Sequence, residues 1–325
     1  MKEWQIESID NVKLTEGVCH RESGQVKLKI AKVAVSATDI SVYKNDGDVK
    51  TSVIGHSAVA YVSEADEDSG LKLGSRVVLS PFVKVCEHGV DKVQTMGVDI
   101  DGLLKDFVCV PQENVFVLPE GIDDNDAIFA EYIAIGNKVY ESFDCDKGDY
   151  VVIIGASTLG LVLCQLAAYY QMVPILVDLD ADKLQLAQKQ GLSYALNPTF
   201  DNLERRVEEI TGGRMCEAAI FAGEGVGVNT TVRLVKDEGD VIIAGYNLYA
   251  KHQIDTSTIL KKQLRLKGVS NGYGEMPSAI NLLANKIVNT EGFVSAHANF
   301  EEVPQVIENC AKYPYQYNKI VIDLD

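Results

Sequence analysis

No uninterrupted apolar stretch in the 325 residues approaches the roughly 20 needed to cross a bilayer. The opening "MKEWQIESIDNVKL" has neither the basic start nor the apolar run of a signal peptide. A cytoplasmic protein is therefore expected. C-x-x-C pairs are missing: Cys19, Cys86, Cys109, Cys145, Cys164, Cys216 and Cys310 are an odd number scattered along the chain. That pattern signals neither a disulfide framework nor a cysteine zinc site, and most of the seven are expected to be reduced and buried. Positive charge is short, with 30 Lys and Arg against 47 Asp and Glu and a net charge of -17. So acidic a surface repels phosphate backbones and anionic lipid, which removes nucleic acid and membrane from the expected partners. Internal repeats and low-complexity segments are also missing.

What is present reads as two domains of a globular protein, with 46% hydrophobic and 24% charged residues. Up to about residue 120, β-branched runs such as "QVKLKIAKVAV", "SAVAYVSEA", "SRVVLSPFV", "KDFVCVP" and "NVFVLP" alternate with Gly, Asp and Pro breaks. This predicts a mostly antiparallel β domain. From "DNDAIFAEYIAIGNKVYESF" onward the rhythm changes to apolar strands, "DYVVIIGA", "VPILVDLD", "CEAAIFAG" and "GDVIIAGY", separated by amphipathic helices. Strands apolar on both faces belong to a parallel, doubly wound sheet covered by helices. The tail, "FEEVPQVIENCAKY" then "NKIVIDLD", reads as a helix and a strand that suit either domain.

The stretch "VVIIGASTLGLVLCQLAAYY" places Gly155, Ser157 and Gly160 in a G-x-G-x-x-G frame between a strand and a helix, with Thr158 and Leu159 completing the turn. Such a turn needs a tight bend at the first position, close approach of a pyrophosphate at the second and close helix packing at the third; the helix N-terminus then faces the anion. Ser157 breaks the middle requirement but is small. Eighteen residues past Gly160, Asp178 ends the next strand, where a carboxylate accepts from both ribose hydroxyls and repels a 2'-phosphate. NAD is thus the expected cofactor. Asp180 is the rival for that role and reads better as a helix cap. Gly223 and Gly245 end later strands at the same sheet edge and are candidates for passing the nicotinamide half, or are simple turn glycines.

Five local segments, in order, resemble the medium-chain dehydrogenase/reductase superfamily, the zinc alcohol and polyol dehydrogenases, over essentially the whole chain. "VSATDISVY" is similar to the family's I-C-G-T-D-x-H-x-Y, "VIGHSAVAYV" to G-H-E, and "KLGSRVVLSP" to G-D-R-V. "DGLLKDFVCVP" is similar to D-G-x-x-A-E-Y-V-x-V-P, and "AIFAEYIAIGNKVYE" to A-x-x-E-P. The resemblance implies a GroES-like catalytic domain (1–125 and 293–325) around a Rossmann domain (126–292), and a homodimer or homotetramer joined along the Rossmann sheet edge. It also implies a catalytic zinc, yet the cysteine position holds Ser36 and the glutamate of G-H-E is Ser57, leaving His56 and Glu131. Zinc wants about four ligands, and a serine hydroxyl replaces a thiolate poorly. The family's second zinc needs four clustered cysteines, where this chain has Cys86 alone, beside His88 in an exposed loop.

The expected enzyme is an NAD(H)-dependent oxidoreductase for a small alcohol, polyol or carbonyl substrate, with no metal. Thr38 matches the hydroxyl that bonds the substrate oxygen in the family, and Ser41 stands where a relay histidine stands. His56 beside Glu131 is either a cationic donor to that oxygen or a structural pair. Asp39 reads as structural and Tyr43 as a pocket wall. The alternatives are a weakened zinc enzyme, a silent nucleotide-binding sensor, and reduction of an activated double bond.

Overall fold

Alternation of apolar and polar residues sets the strands of the first half of the chain. In chain order they are β1 (Lys2–Ser8), β2 (Asn11–Glu16), β3 (Gln25–Val35), β4 (Ser57–Glu64), β5 (Arg76–Leu79), β6 (Phe82–Glu87), β7 (Val90–Thr95), β8 (Phe107–Pro111) and β9 (Val115–Val117). Helix α1 (Ala37–Tyr43) follows β3, and α2 (Asp124–Ala127) and α3 (Ala130–Tyr140) follow β9. Next come β10 (Tyr150–Ile154), α4 (Thr158–Tyr169), β11 (Val173–Val177), α5 (Ala181–Lys189), β12 (Tyr194–Leu196), α6 (Leu203–Ile210) and β13 (Cys216–Phe221). The chain continues through α7 (Val228–Leu234), β14 (Val235–Ala244), α8 (Thr256–Lys262), β15 (Arg265–Val269), α9 (Met276–Ala284), β16 (Val294–Asn299), α10 (Val303–Lys312) and β17 (Lys319–Asp323). This computed structural model describes residues 1–9, 11–44, 51–223, 226–245, 253–313 and 317–324.

Two units result. The first comprises Met1–Glu131, Met276–Ala284 and Thr290–Asp325; the second comprises Tyr132–Glu275 and Asn285–Asn289. The division therefore falls after residue 131, where the sequence suggested 125, and the segment Met276–Ala284 joins the first unit.

In the first unit a sheet runs in the order β16-β17-β3-β4-β5-β9, with β8 also paired to β3. All of its pairs are antiparallel except β16 with β17. Along β3, Val26, Leu28 and Ile30 are fully buried, and the phase then slips so that Val33 and Val35 continue the buried face. The slip coincides with a register shift against β4 between Ile30 and Lys32, where the strand takes up an extra residue. In this way the core face and the functional end of β3 are both satisfied. The tail belongs here: β17 pairs antiparallel with β3, Ile320 opposite Val35.

Where the family carries its second zinc, β6 and β7 form an antiparallel hairpin. Cross-strand ion pairs brace it, Lys84 with Asp91 at 2.7 Å and Lys92 with Glu87 at 2.8 Å. Cys86 and His88 are exposed on it. The cysteines depart from expectation at one place: Cys19 and Cys109 form a disulfide, their Cα atoms 6.5 Å apart. Cys164, Cys216 and Cys310 are buried as expected, but Cys86 is exposed.

The second unit is a parallel sheet in the order β12-β11-β10-β13-β14-β15. In this order the sheet reverses direction between β10 and β13, the arrangement that opens a ligand crevice at the carboxyl ends of the central strands. Val151–Ile154 and Ala218–Ile220 are fully buried, which is why these strands read as continuous apolar runs.

The first unit's core also carries the aromatic pair Phe129 and Phe293, both fully buried and packed edge to face at 5.3 Å between centroids. Phe293→Ala is expected to destabilise the protein by about 3–5 kcal/mol, read as a lower urea midpoint with an unchanged slope.

Candidate active site

Strand register brings four polar residues to one end of the first unit's sheet. Ser36 follows the last residue of β3. Ser57 opens β4 opposite Ala34, so His56 lies just beyond that pair. Lys319 opens β17 one residue before the Ile320–Val35 pair. Two helices add carboxylates: α1 carries Asp39 in its first turn and α3 carries Glu131.

The backbone beneath is packed closely. Gly102 donates to Val53 O at 2.7 Å, and Leu103 and Leu104 donate to Gly55 O and Ile54 O. A Cβ on Gly102 would lie 2.4 Å from Ile54 O. That contact is the physical reason for a glycine in "DGLL": only a bare Cα lets this segment brace the loop that carries His56.

All the side chains of the cluster are buried: Asp39 and His56 completely, Lys319 at 1%, Glu131 and Ser57 at 2% and Ser36 at 8% exposure. His56 Nδ1 lies 2.7 Å from Glu131 Oε2, and Ser57 Oγ donates to the same oxygen at 2.5 Å. His56 Nε2 lies 3.1 Å from Ser36 Oγ and 3.4 Å from Asp39 Oδ2. Asp39 in turn accepts from Ser36 Oγ (2.7 Å), Ser36 N (2.7 Å) and Gly55 N (2.8 Å). Lys319 Nζ lies 3.4 Å from Ser57 Oγ. Glu131 Oε1 is buried without a hydrogen-bond partner.

Burial alone would push His56 down, but Glu131 and Asp39 outweigh it and hold the imidazole at about 9, above its ordinary 6.5. Burial would likewise raise Asp39, yet His56, Lys319 and Ser36 bring it to about 2. Glu131 is also lowered, His56 overcoming burial, whereas burial lowers Lys319 against the pull of both carboxylates. The cluster sets two carboxylates around one imidazolium in a dry setting, with the Lys319 amine beside Ser57. Ser36, His56 and Glu131 have the connectivity of a nucleophile, base and acid triad. The second carboxylate defeats it: Asp39 keeps His56 protonated and takes the Ser36 hydroxyl proton as its own hydrogen bond, so Ser36 has no base.

Among the described residues, no group of three or more His, Cys, Asp or Glu side chains is arranged to hold a metal ion. Each ring nitrogen of His56 faces a carboxylate or hydroxyl of the cluster, and Glu131 Oε1 is the only cluster donor atom shown without a partner. One oxygen does not make a zinc site.

Thr38 lies half-buried on α1 beside Asp39 and makes no hydrogen bond to the cluster. Tyr43 is a core residue, 3% exposed, and not a free pocket wall. Asp39, read as merely structural, both caps α1 and faces His56. Lys319 escaped the sequence reading; the signal was one lysine opening the apolar strand "KIVID".

In the second unit the glycine turn assembles as its spacing required. Gly155 has φ +106°, and a Cβ there would meet Gly223 N and Cα at 2.8 Å; one on Gly160 would strike Gly155 O at 1.8 Å. Ser157 answers the question its position raised. Its hydroxyl turns inward, donating to Ala222 O at 2.7 Å and accepting from Gly160 N at 3.2 Å as the cap of α4. The N–H groups of Thr158 and Leu159 open that helix, where no intrahelical acceptor exists for them. Asp178 Oδ2 accepts from Ala156 N at 2.5 Å and Oδ1 from Asp180 N at 2.8 Å. Asp180 caps α5 by accepting from Asp182 N and Lys183 N. Gly245 has φ +92°, and a Cβ there would approach Leu159 Cδ2 at 3.1 Å. Gly155, Ser157, Leu159, Gly160, Asp178, Gly223 and Gly245 are thus gathered around one turn.

A sheet in this order, with a glycine turn and an acid at the next strand end, and a separate antiparallel domain completed by the tail, define the class of two-domain dehydrogenases. Residues 22–120 match the model of the alcohol dehydrogenase GroES-like domain, and residues 158–285 match that of the zinc-binding dehydrogenase. The chain belongs to the medium-chain dehydrogenase/reductase superfamily and is an oxidoreductase of the alcohol dehydrogenase type. It is 26% identical over 314 residues, 92% of each chain, to an uncharacterized zinc-type alcohol dehydrogenase-like protein of Haemophilus influenzae. In fold it is similar to a short chain alcohol dehydrogenase from E. coli CFT073 complexed with NADH (TM-score 0.87, 20% identity, 99% of both chains). It is similar as well to a Sinorhizobium meliloti 1021 structure of the zinc-binding dehydrogenase type bound to NADP (TM-score 0.86, 22% identity, 99% and 98% covered).

The sign of the pH dependence follows from the shifts. His56 is raised in the folded state, so its contribution is complete below about 6.5 and is lost as pH rises through about 9; Asp39 is lowered, so its contribution is complete above about 3.8 and is lost toward 2. The urea midpoint is expected to fall between pH 6.5 and 9, and His56→Gln, though less stable throughout, is expected to lose that slope.

Proposed function

We propose that the protein is an NAD(H)-dependent oxidoreductase that moves a hydride between nicotinamide and a small alcohol, polyol or carbonyl substrate, without catalytic zinc. The observation that carries this reading is the turn at 155–160 closed against Asp178, whose two oxygens are fixed by Ala156 N and Asp180 N. A carboxylate so fixed retains lone pairs for ribose hydroxyls and repels a 2'-phosphate, which supports NAD over NADP. The turn fits a pyrophosphate: glycine Cα atoms clear the approach, and the N-terminus of α4 offers its N–H groups. Among the relatives of similar fold, one holds NADH and another NADP.

When bound, the cofactor supplies the hydride acceptor or donor. The chain's own residues supply the proton and the setting. His56, charged and buried, has both ring nitrogens engaged within the cluster, so it serves as a positioning residue that holds Glu131 and Asp39 by its charge. Glu131 Oε1, the unpartnered oxygen, accepts from a substrate hydroxyl or a water. Thr38 bonds the substrate oxygen. The donor set supports a metal-free site, since a metal would have to displace the pairing of His56 with Asp39 and Glu131. Pairing of copies along β15 supports a homodimer or homotetramer, since four of the five residues of this edge strand are exposed. Action in the cytoplasm completes the reading; no helix among the described residues is long and apolar enough to cross a membrane.

The test measures zinc content and NADH and NADPH binding on one preparation made without chelators. Zinc is expected well below one per chain, NADH to bind at least about tenfold more tightly than NADPH, and Asp178→Ala to abolish that preference. One zinc per chain, or no binding of either dinucleotide, would overturn the reading.

A further inference from the structure

Residues 102–106 are held from both sides. On one side lies the loop before His56, where Leu103 N donates to Gly55 O at 2.8 Å and Leu104 N to Ile54 O at 3.0 Å. On the other lies β1: Leu104 O accepts from Trp4 N at 3.1 Å, Asp106 N donates to Lys2 O at 2.9 Å, and Lys2 N donates to Asp106 Oδ1 at 2.7 Å. Lys105 adds an ion pair with Glu3 at 3.2 Å, and both residues are buried. Leu104 is thus bonded through its N–H to the His56 loop and through its carbonyl to the N-terminal strand.

That strand has little support of its own. β1 and β2 form a separate sheet of two strands, and a hairpin so small is marginal unless something else holds it. Met1 and Gly17 exchange backbone bonds across its open end, at 2.9 and 3.1 Å. From Val18 to His20 the chain makes no hydrogen bond among the described residues. What ties this stretch down is Cys19, bonded to Cys109 on β8, three residues past Asp106. The hairpin is therefore joined to the 102–109 stretch twice, by the bonds to Leu104 and Asp106 and covalently at Cys109.

The covalent joint is within reach of solvent. Cys19 and Cys109 are both partly exposed, and Val18 beside Cys19 is 72% exposed. A disulfide that water reaches is open to exchange with small thiols, unlike one sealed in a core. In the cytoplasm, where the protein is proposed to act, disulfides that form are as a rule transient or redox-sensing.

We propose that Cys19 and Cys109 are a reversible thiol–disulfide pair, through which a small thiol such as glutathione sets how firmly β1 braces the loop that carries His56. In oxidation, one cysteine thiolate attacks the small disulfide, releasing one small thiol and leaving a mixed disulfide; the second cysteine thiolate then displaces the other small thiol. The two cysteines give up two protons and two electrons, and the small disulfide is reduced to two thiols. Two small thiols reverse both steps. Closed, the bond restricts the hairpin to the neighbourhood of Leu104; open, only the backbone bonds and the Glu3–Lys105 pair retain it. The switch lies wholly in the first unit and does not depend on the cofactor reading.

The test equilibrates the wild-type protein across glutathione ratios from fully reduced to fully oxidised, quenches with acid and reads alkylation of Cys19 and Cys109 peptide by peptide. The two are expected to change together, and reversibly, within that range. Amide hydrogen exchange at Trp4, Leu103 and Leu104 is expected to be at least about tenfold faster in the reduced protein. Exchange at Val152 in the second unit is expected to stay the same. The double variant Cys19→Ser with Cys109→Ser is expected to show the fast rate at every ratio; should it not fold, the two redox states of the wild type carry the comparison alone. Alkylation of both cysteines at every ratio, protection of both at every ratio, or equal exchange at Leu103 and Leu104 in the two states would each overturn the proposal.

Discussion

The polar end of the first unit's sheet is organised by one imidazolium held between two buried carboxylates. Taking any one of these charges out of water alone would cost several kcal/mol. The set is tolerated because His56 compensates Asp39 and Glu131 while Ser36, Ser57 and Gly55 N supply further hydrogen bonds. Three strands and two helices converge to place them. The fold of this unit is therefore as much a device for closing an ionic cluster as for burying Val26, Leu28 and Ile30.

That cluster gives the departures from the family pattern a common meaning. A serine at position 36 cannot bind metal as a thiolate does, but it is the right size to bridge His56 and Asp39. Serine at position 57 stands where a carboxylate would have added a third acid to the buried set. Both replacements are small hydroxyls that satisfy a neighbouring charge without adding one.

Much of the architecture was legible because it rests on short-range rules. Strands covered on both faces must be apolar throughout, a tight turn under a phosphate needs Gly155 and Gly160, and Asp178 follows a strand end by fixed spacing. Ser36, His56 and Glu131 could be picked out by the frames around them, although their partners could not. Lys319 stayed hidden because its burial comes from contacts with Ser57, 262 residues away, and a lysine opening a terminal strand ordinarily faces water. Cys19 and Cys109 are separated by 90 residues, and no local spacing announces such a pair. Asp39, expected to be structural, does cap α1, but the second partner it faces is not announced by local sequence.

Asp178 has a consequence for how such a chain can change over generations. The carboxylate suited to the ribose is also the acceptor that fixes Ala156 N inside the phosphate turn. Any substitution that makes room for a 2'-phosphate simultaneously unties that amide. The acid at this strand end and the order of the turn are therefore inherited together, so whichever nicotinamide cofactor the turn accepts is hard to drift away from.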